Sequence, residues 1–92
     1  MTTIKGSRFL TVRAEAGEVY EIKYSTSQRL NILNSTTGEI KISSSKEFAE
    51  DSTSGQYLTV PQNAAANDIA MPFDTVYIKP ESSGNIVIER CG

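Results

Sequence analysis

Apolar and polar positions alternate with a period of two along most of this chain. Residues 18–25 show it most cleanly, with Tyr20, Ile22 and Tyr24 on one side and Glu21, Lys23 and Ser25 on the other. That period belongs to a strand buried on one face, the pattern of antiparallel sheets. The same reading predicts a first strand over residues 9–14 with Leu10, Val12 and Ala14 on one face. Further strands follow over 29–34 (Leu30, Ile32), 39–43 (Ile40, Ile42), 56–60, 74–79 (Val76, Ile78) and 85–91 (Ile86, Ile88). Turn residues separate them: Glu15-Ala16-Gly17, Ser35-Thr36-Thr37-Gly38 and Pro80-Glu81-Ser82-Ser83-Gly84. The segments flanking Ser35-Thr36-Thr37-Gly38 read as the clearest hairpin. Residues 44–55 are polar and irregular, with one helical turn expected at Lys46-Glu47-Phe48-Ala49-Glu50 and Phe48 as its anchor. Residues 61–72, Ala- and Asn-rich and bounded by prolines, read as one long loop with a short helix over 64–69.

A glycine, a polar residue and then a strand recur at Gly17, Gly38, Gly55 and Gly84. The spacings are unequal, so turn chemistry is reused without a true repeat. About seven short strands with Gly-containing turns predict an all-β fold, a single small antiparallel β-sandwich over 1–92. Jelly-roll and immunoglobulin-like topologies, or an OB-like barrel, all fit the pattern.

Composition sharpens this picture. Ile leads the apolar residues with nine, and Val, Ile and Thr together make 23 of the 92 positions, whereas Leu numbers four. β-Branched side chains suit a pleated surface. The formal charge of −2 argues against a nucleic-acid partner held by net charge. Arg8, Arg13, Arg29 and Lys5 give the first third a basic tilt, but Glu15, Glu18 and Glu21 interrupt it. No histidine is present, which excludes imidazole catalysis and histidine-ligated metal, and the lone Cys91 excludes an intrachain disulfide. The longest apolar run is Ile86-Val87-Ile88, so no membrane span is expected, and no signal peptide is read at the start. These features lead to an expectation of cytoplasmic synthesis, or of a particle assembled in a host cytoplasm.

Candidate chemistry is sparse. Ser43-Ser44-Ser45-Lys46 has a Ser-x-x-Lys spacing, but the serine ends a strand, where the two side chains share no helix face. Asn67, Asp68 and Asp74 are loop groups that would need more oxygens to hold a cation. Asn34-Ser35-Thr36 fits a glycosylation acceptor and reads more simply as a turn in which Asn and Ser bond local backbone. No catalytic, cofactor-binding or metal-ligating residue is assigned, no cofactor is expected, and the chain is not read as an enzyme.

The stretch from Asp74 to Cys91, a Tyr77-Ile78-Lys79 strand, a Ser82-Ser83-Gly84 turn and a closing Ile86-Val87-Ile88 strand, resembles the closing hairpin of small tailed-phage virion proteins. These include head-decoration (auxiliary capsid) and tail-associated β-sandwiches. The resemblance covers about eighteen residues, and it implies a non-catalytic structural protein of the virion that oligomerises or docks on a capsid or tail protein. Strands apolar on both faces, 29–34 and 85–91, fit such contacts. Leu33, Tyr57, Tyr77 and Val87, all opposite the expected core, are the expected interface residues. A carbohydrate- or receptor-binding sandwich is the alternative, with Tyr57 and Tyr77 as the aromatics a glycan would meet.

Overall fold

Inward-facing residues fall almost wholly at even positions, and the architecture follows from that parity. The computed structural model describes residues 1–26, 28–51, 56–71 and 74–91, the side chains of Gln28 and Met71 apart. In chain order the elements are β1 (Thr2–Lys5), β2 (Phe9–Ala14), β3 (Tyr20–Lys23), β4 (Gln28–Thr36), β5 (Ile40–Ser43), α1 (Lys46–Glu50), β6 (Leu58–Val60), β7 (Ala65–Met71), β8 (Thr75–Pro80) and β9 (Gly84–Cys91). They form a five-stranded sheet, β1-β3-β8-β5-β6, and a four-stranded sheet, β2-β9-β4-β7. Between the two lies one core that includes Val12, Tyr20, Ile22, Leu30, Ile32, Ile40, Ile42, Ile78, Ile86 and Ile88. All nine isoleucines are in that core or packed against it. The expected β-sandwich is therefore what the chain forms.

The pairing is nested. β2 pairs with β9, β3 with β8, β4 with β7 and β5 with β6, all antiparallel. The chain from β2 to β9 is thus one long hairpin, with α1 near its tip. It is rolled so that β4 also pairs with β9 and β5 with β8. Within it, every link except β5 to β6 passes from one sheet to the other. This is jelly-roll connectivity. β1 adds to the edge of the larger sheet, parallel to β3.

That rolling corrects two local expectations. Residues 29–34 and 39–43 do not make a hairpin, because β4 and β5 lie in different sheets. The same holds for the closing pair, since β8 and β9 also lie in different sheets. Their turns are arches across the sandwich, and Glu81 N bridges them by donating to Glu39 O (3.0 Å).

Asn34 holds this corner from inside. Its side chain is fully buried, and Nδ2 donates toward Gly38 O (2.8 Å), Val60 O (3.0 Å) and Pro61 O (3.0 Å). Oδ1 accepts from Thr36 N (3.0 Å) and Thr36 Oγ1 (2.6 Å). One amide therefore ties the β4–β5 arch to the β6–β7 arch. A glycan on this buried Asn34 is incompatible with the fold.

The expected long loop over 61–72, with its helix at 64–69, is instead largely strand β7. The cause is a bulge. Ile32 pairs with Ala66 and Leu30 with Ile69, so β7 spends one residue more than β4 there. Asp68 takes a positive φ of 55° at that point. Ala66 and Ile69 both pack toward the core three positions apart, a spacing that imitates a helix. β1 also lies where no strand was expected. The helical turn at Lys46–Glu50 forms as expected, with Phe48 fully buried. Gly55 of the glycine pattern and Pro72 lie outside the described residues.

Candidate interaction surface

The outward faces of the two sheets carry different chemistry. On the four-stranded sheet, register places Thr11, Val87, Leu33 and Ala65 side by side in one row across all four strands. Leu33 is 42% exposed and Val87 38%, and they are direct cross-strand neighbours. The adjoining row holds Phe9, Glu89 and Asn31, and Phe9 is 67% exposed. Arg13, Asn85 and Ser35 form the row on the other side. A shallow groove of about 160 Å³ runs beside Leu33, Val87 and Ala65. The result is an apolar patch of Leu33, Val87 and Ala65, with Phe9 nearby and polar residues around it, the kind of exposed cluster that contact surfaces use.

Polar contacts stiffen the β7 side of this face. Arg29 Nε and Nη2 donate to Asp68 Oδ1 and Oδ2 at 2.6 and 2.9 Å. Those bonds, and then the guanidinium charge, hold the Asp68 carboxyl below its ordinary range and raise Arg29. Asp68 N donates to Asn31 Oδ1 (2.8 Å), and Asn31 Nδ2 donates to Glu89 Oε1 (3.1 Å). The bulge is therefore pinned to β4 and β9. Asp68 meets Arg29 in this way, and no group of three His, Cys, Asp or Glu with metal-binding geometry occurs among the described residues.

The outer face of the five-stranded sheet is partly roofed. α1 packs across β8, Phe48 is fully buried there, and the Phe48 and Tyr57 rings lie 5.8 Å apart. Tyr77 sits on this face, opposite Val76 and Ile78 as expected, but it is only 7% exposed. Its place in the contact set is corrected: α1 roofs β8, and Tyr77 is buried within its own chain. Burial first, then the Glu21 charge and hydrogen bond, raises the Tyr77 phenol above its ordinary pKa. Tyr57 stays 45% exposed, with Lys41 Nζ 4.9 Å from its ring centroid. Beside it, Glu39, Lys41, Lys79, Pro80 and Glu81 line a groove of about 310 Å³. Ser43 is buried, its hydroxyl donating to Gln56 O and accepting from Ser45 N (2.9 Å), while Lys46 opens α1. These bonds engage the serine with local backbone.

Of the four expected contact residues, the fold thus brings Leu33 and Val87 together on one face. It puts Tyr57 on the opposite side of the sandwich and buries Tyr77. Phe9, the most exposed of the large apolar side chains among the described residues, was missed, although its odd position beside Leu10 and Val12 already placed it outward. Cys91, at the end of β9, is a half-buried free thiol opposite Arg29. No helix among the described residues is long and apolar enough to cross a membrane. Comparison with protein-family models, with curated proteins and with solved structures found no match for this chain.

Proposed function

We propose that this chain is a non-catalytic structural protein that works by docking on other protein surfaces, and that its setting is a tailed-phage virion, as a head-decoration or tail-associated component assembled in the host cytoplasm. The observation that carries the docking reading is the outward row of Thr11, Val87, Leu33 and Ala65, with Phe9 beside it. A lone exposed Leu is ordinary, but a contiguous apolar patch is not. Burying apolar area gains about 25 cal/mol per Å², and repeated copies on a lattice convert modest single contacts into firm attachment. The virion setting rests, as a fold-level analogy, on the use of jelly rolls in viral capsids.

Co-sedimentation with virion-sized particles from the native source tests this reading. The wild-type chain should travel with the particles, and Leu33→Lys/Val87→Lys should be released while keeping its far-UV spectrum. Absence of the wild-type chain from particles refutes the virion setting; equal retention of the double variant refutes the face.

One observation favours a second reading, a glycan-binding module: the exposed Tyr57 ring beside the groove at Lys41. A phenol offers flat apolar area and a hydroxyl to a sugar. A glycan panel in which binding is lost with Tyr57→Ala and kept with Leu33→Lys/Val87→Lys would select that reading.

A further inference from the structure

Of the four sheet edges, β2 is the one built to accept another strand. It lies at the margin of its sheet with β9 as its one neighbour, in unbroken register over all six residues. Arg90 N donates to Arg8 O (2.8 Å), so Arg8 turns its backbone groups toward β9. Antiparallel alternation then turns Leu10, Val12 and Ala14 the same way, and turns the N–H and C=O groups of Phe9, Thr11 and Arg13 toward the open edge. Ser7 Oγ donates to Phe9 O (2.8 Å), which leaves that carbonyl a second lone pair. The other edges carry features that discourage pairing. β7 is bulged at Asp68, β1 has four residues and ends on the exposed Lys5, and β6 has three. β2 has no bulge, Pro, Gly or Lys.

The edge is also complementary to itself. In an antiparallel pairing that sets Thr11 opposite Thr11 of a second copy, Phe9 meets Arg13 and Leu10 meets Val12. Outward-turned residues then form three narrow pairs, each exchanging two hydrogen bonds. A two-residue slip in either direction loses both Phe9–Arg13 matches at once. The Phe9 ring already has the Arg8 guanidinium carbon 5.8 Å from its centroid, and a second guanidinium across the strand pair is the favourable cation–π partner. This accounts for a phenylalanine left 67% exposed at a strand edge.

We propose that two copies of this chain join β2 to β2 about a twofold axis at Thr11, merging their four-stranded sheets into one of eight strands. The join rests on the edge alone. It deepens the docking reading because the Thr11 rows of the two copies become continuous, which doubles the outward apolar patch.

Sedimentation velocity of the full chain over a wide concentration range, paired with amide hydrogen exchange, tests the proposal. The mass should rise from 10.0 kDa toward twice that value, and the amides of Phe9, Thr11 and Arg13 should gain protection as it does. Thr11→Pro removes an N–H that the monomer does not use, a substitution edge strands accept, and should weaken association at least about tenfold. Phe9→Lys, which sets a cation against Arg13, should do the same and serves if Thr11→Pro does not fold. Leu33→Lys should leave the dimer intact. A chain that stays monomeric throughout, or a dimer that survives both β2 variants, overturns the proposal. Association lost with Leu33→Lys but kept in both β2 variants overturns it too and assigns self-association to the face.

Discussion

Replacing Asn34 by Ala should be among the most damaging changes available to this chain, although it removes only an amide. The side chain is fully buried and reaches three carbonyls on two arches while accepting twice from Thr36. Thr36 Oγ1 also donates to Gly38 O (2.8 Å), so that carbonyl keeps a donor without Asn34. Val60 O and Pro61 O each lose one donor, although Pro61 O keeps Ala64 N (3.2 Å), and Thr36 N loses its acceptor. A buried group left unpaired costs about 1–3 kcal/mol, so one such group in full and two in part amount to about 3–4 kcal/mol. A domain of this size is stable by roughly 5–14 kcal/mol, so Asn34→Ala should remove a large fraction. Urea unfolding followed by far-UV dichroism reads the change as a lower midpoint at unchanged slope. Asn34→Asp separates donor loss from lost volume, because it keeps the shape and faces an acid toward carbonyls. Its deficit should be small where the introduced carboxyl is protonated and should grow as pH rises. An Asn34→Ala variant within about 1 kcal/mol of wild type would refute the claim that this amide clips the arches.

Tyr24 Oη is buried without a hydrogen-bond partner, and burial raises its phenol pKa; Tyr24→Phe should therefore stabilise the fold by about 1 kcal/mol in the same assay, and a clear loss would contradict this. Phe48→Ala should cost about 3 kcal/mol and expose Tyr77 to solvent, read as faster nitration of that phenol. At Gly84, with φ 147°, an added Cβ would lie 2.6 Å from Thr36 Cα, whereas at Gly17, with φ 80°, it would meet open space. Gly84→Ala should accordingly destabilise by more than about 2 kcal/mol and Gly17→Ala by about 1 kcal/mol. The Asp68 carboxyl should titrate below the ordinary range by NMR and return to it in Arg29→Ala. With the folded pKa lowered, its contribution is present above the unfolded pKa and is lost as pH falls through the folded one.

Much of this fold was legible because inward positions keep one parity. Tyr20, Ile22, Ile40, Ile42, Ile86 and Ile88 could be assigned to the core from alternation alone, and Phe48 could be assigned as the anchor of its turn. What alternation does not encode is which sheet a strand joins. The turns after β4 and β8 carry the same small residues and glycine as hairpin turns, yet they arch between sheets; at the first of them Asn34 and Thr36 bond inward. β7 was hidden by its bulge, which set Ala66 and Ile69 three apart. β1 was hidden by having Ile4 alone as an apolar residue. At the surface, Leu33 and Val87 were readable as outward apolar positions, and register shows them to be neighbours. Tyr77 was placed on the correct face, but its covering by α1 depends on a contact between segments some thirty residues apart, which periodicity cannot register.

The central claim is that the outward row of the four-stranded sheet is covered when the protein is in its working assembly. Hydroxyl-radical footprinting of the chain, free and mixed with particles that retain it in the co-sedimentation assay, tests this residue by residue. The account predicts that oxidation of Leu33, Val87 and Phe9 falls sharply on assembly while that of Tyr57, on the far side of the sandwich, does not change. Equal oxidation of Leu33 and Val87 in the two states would contradict it.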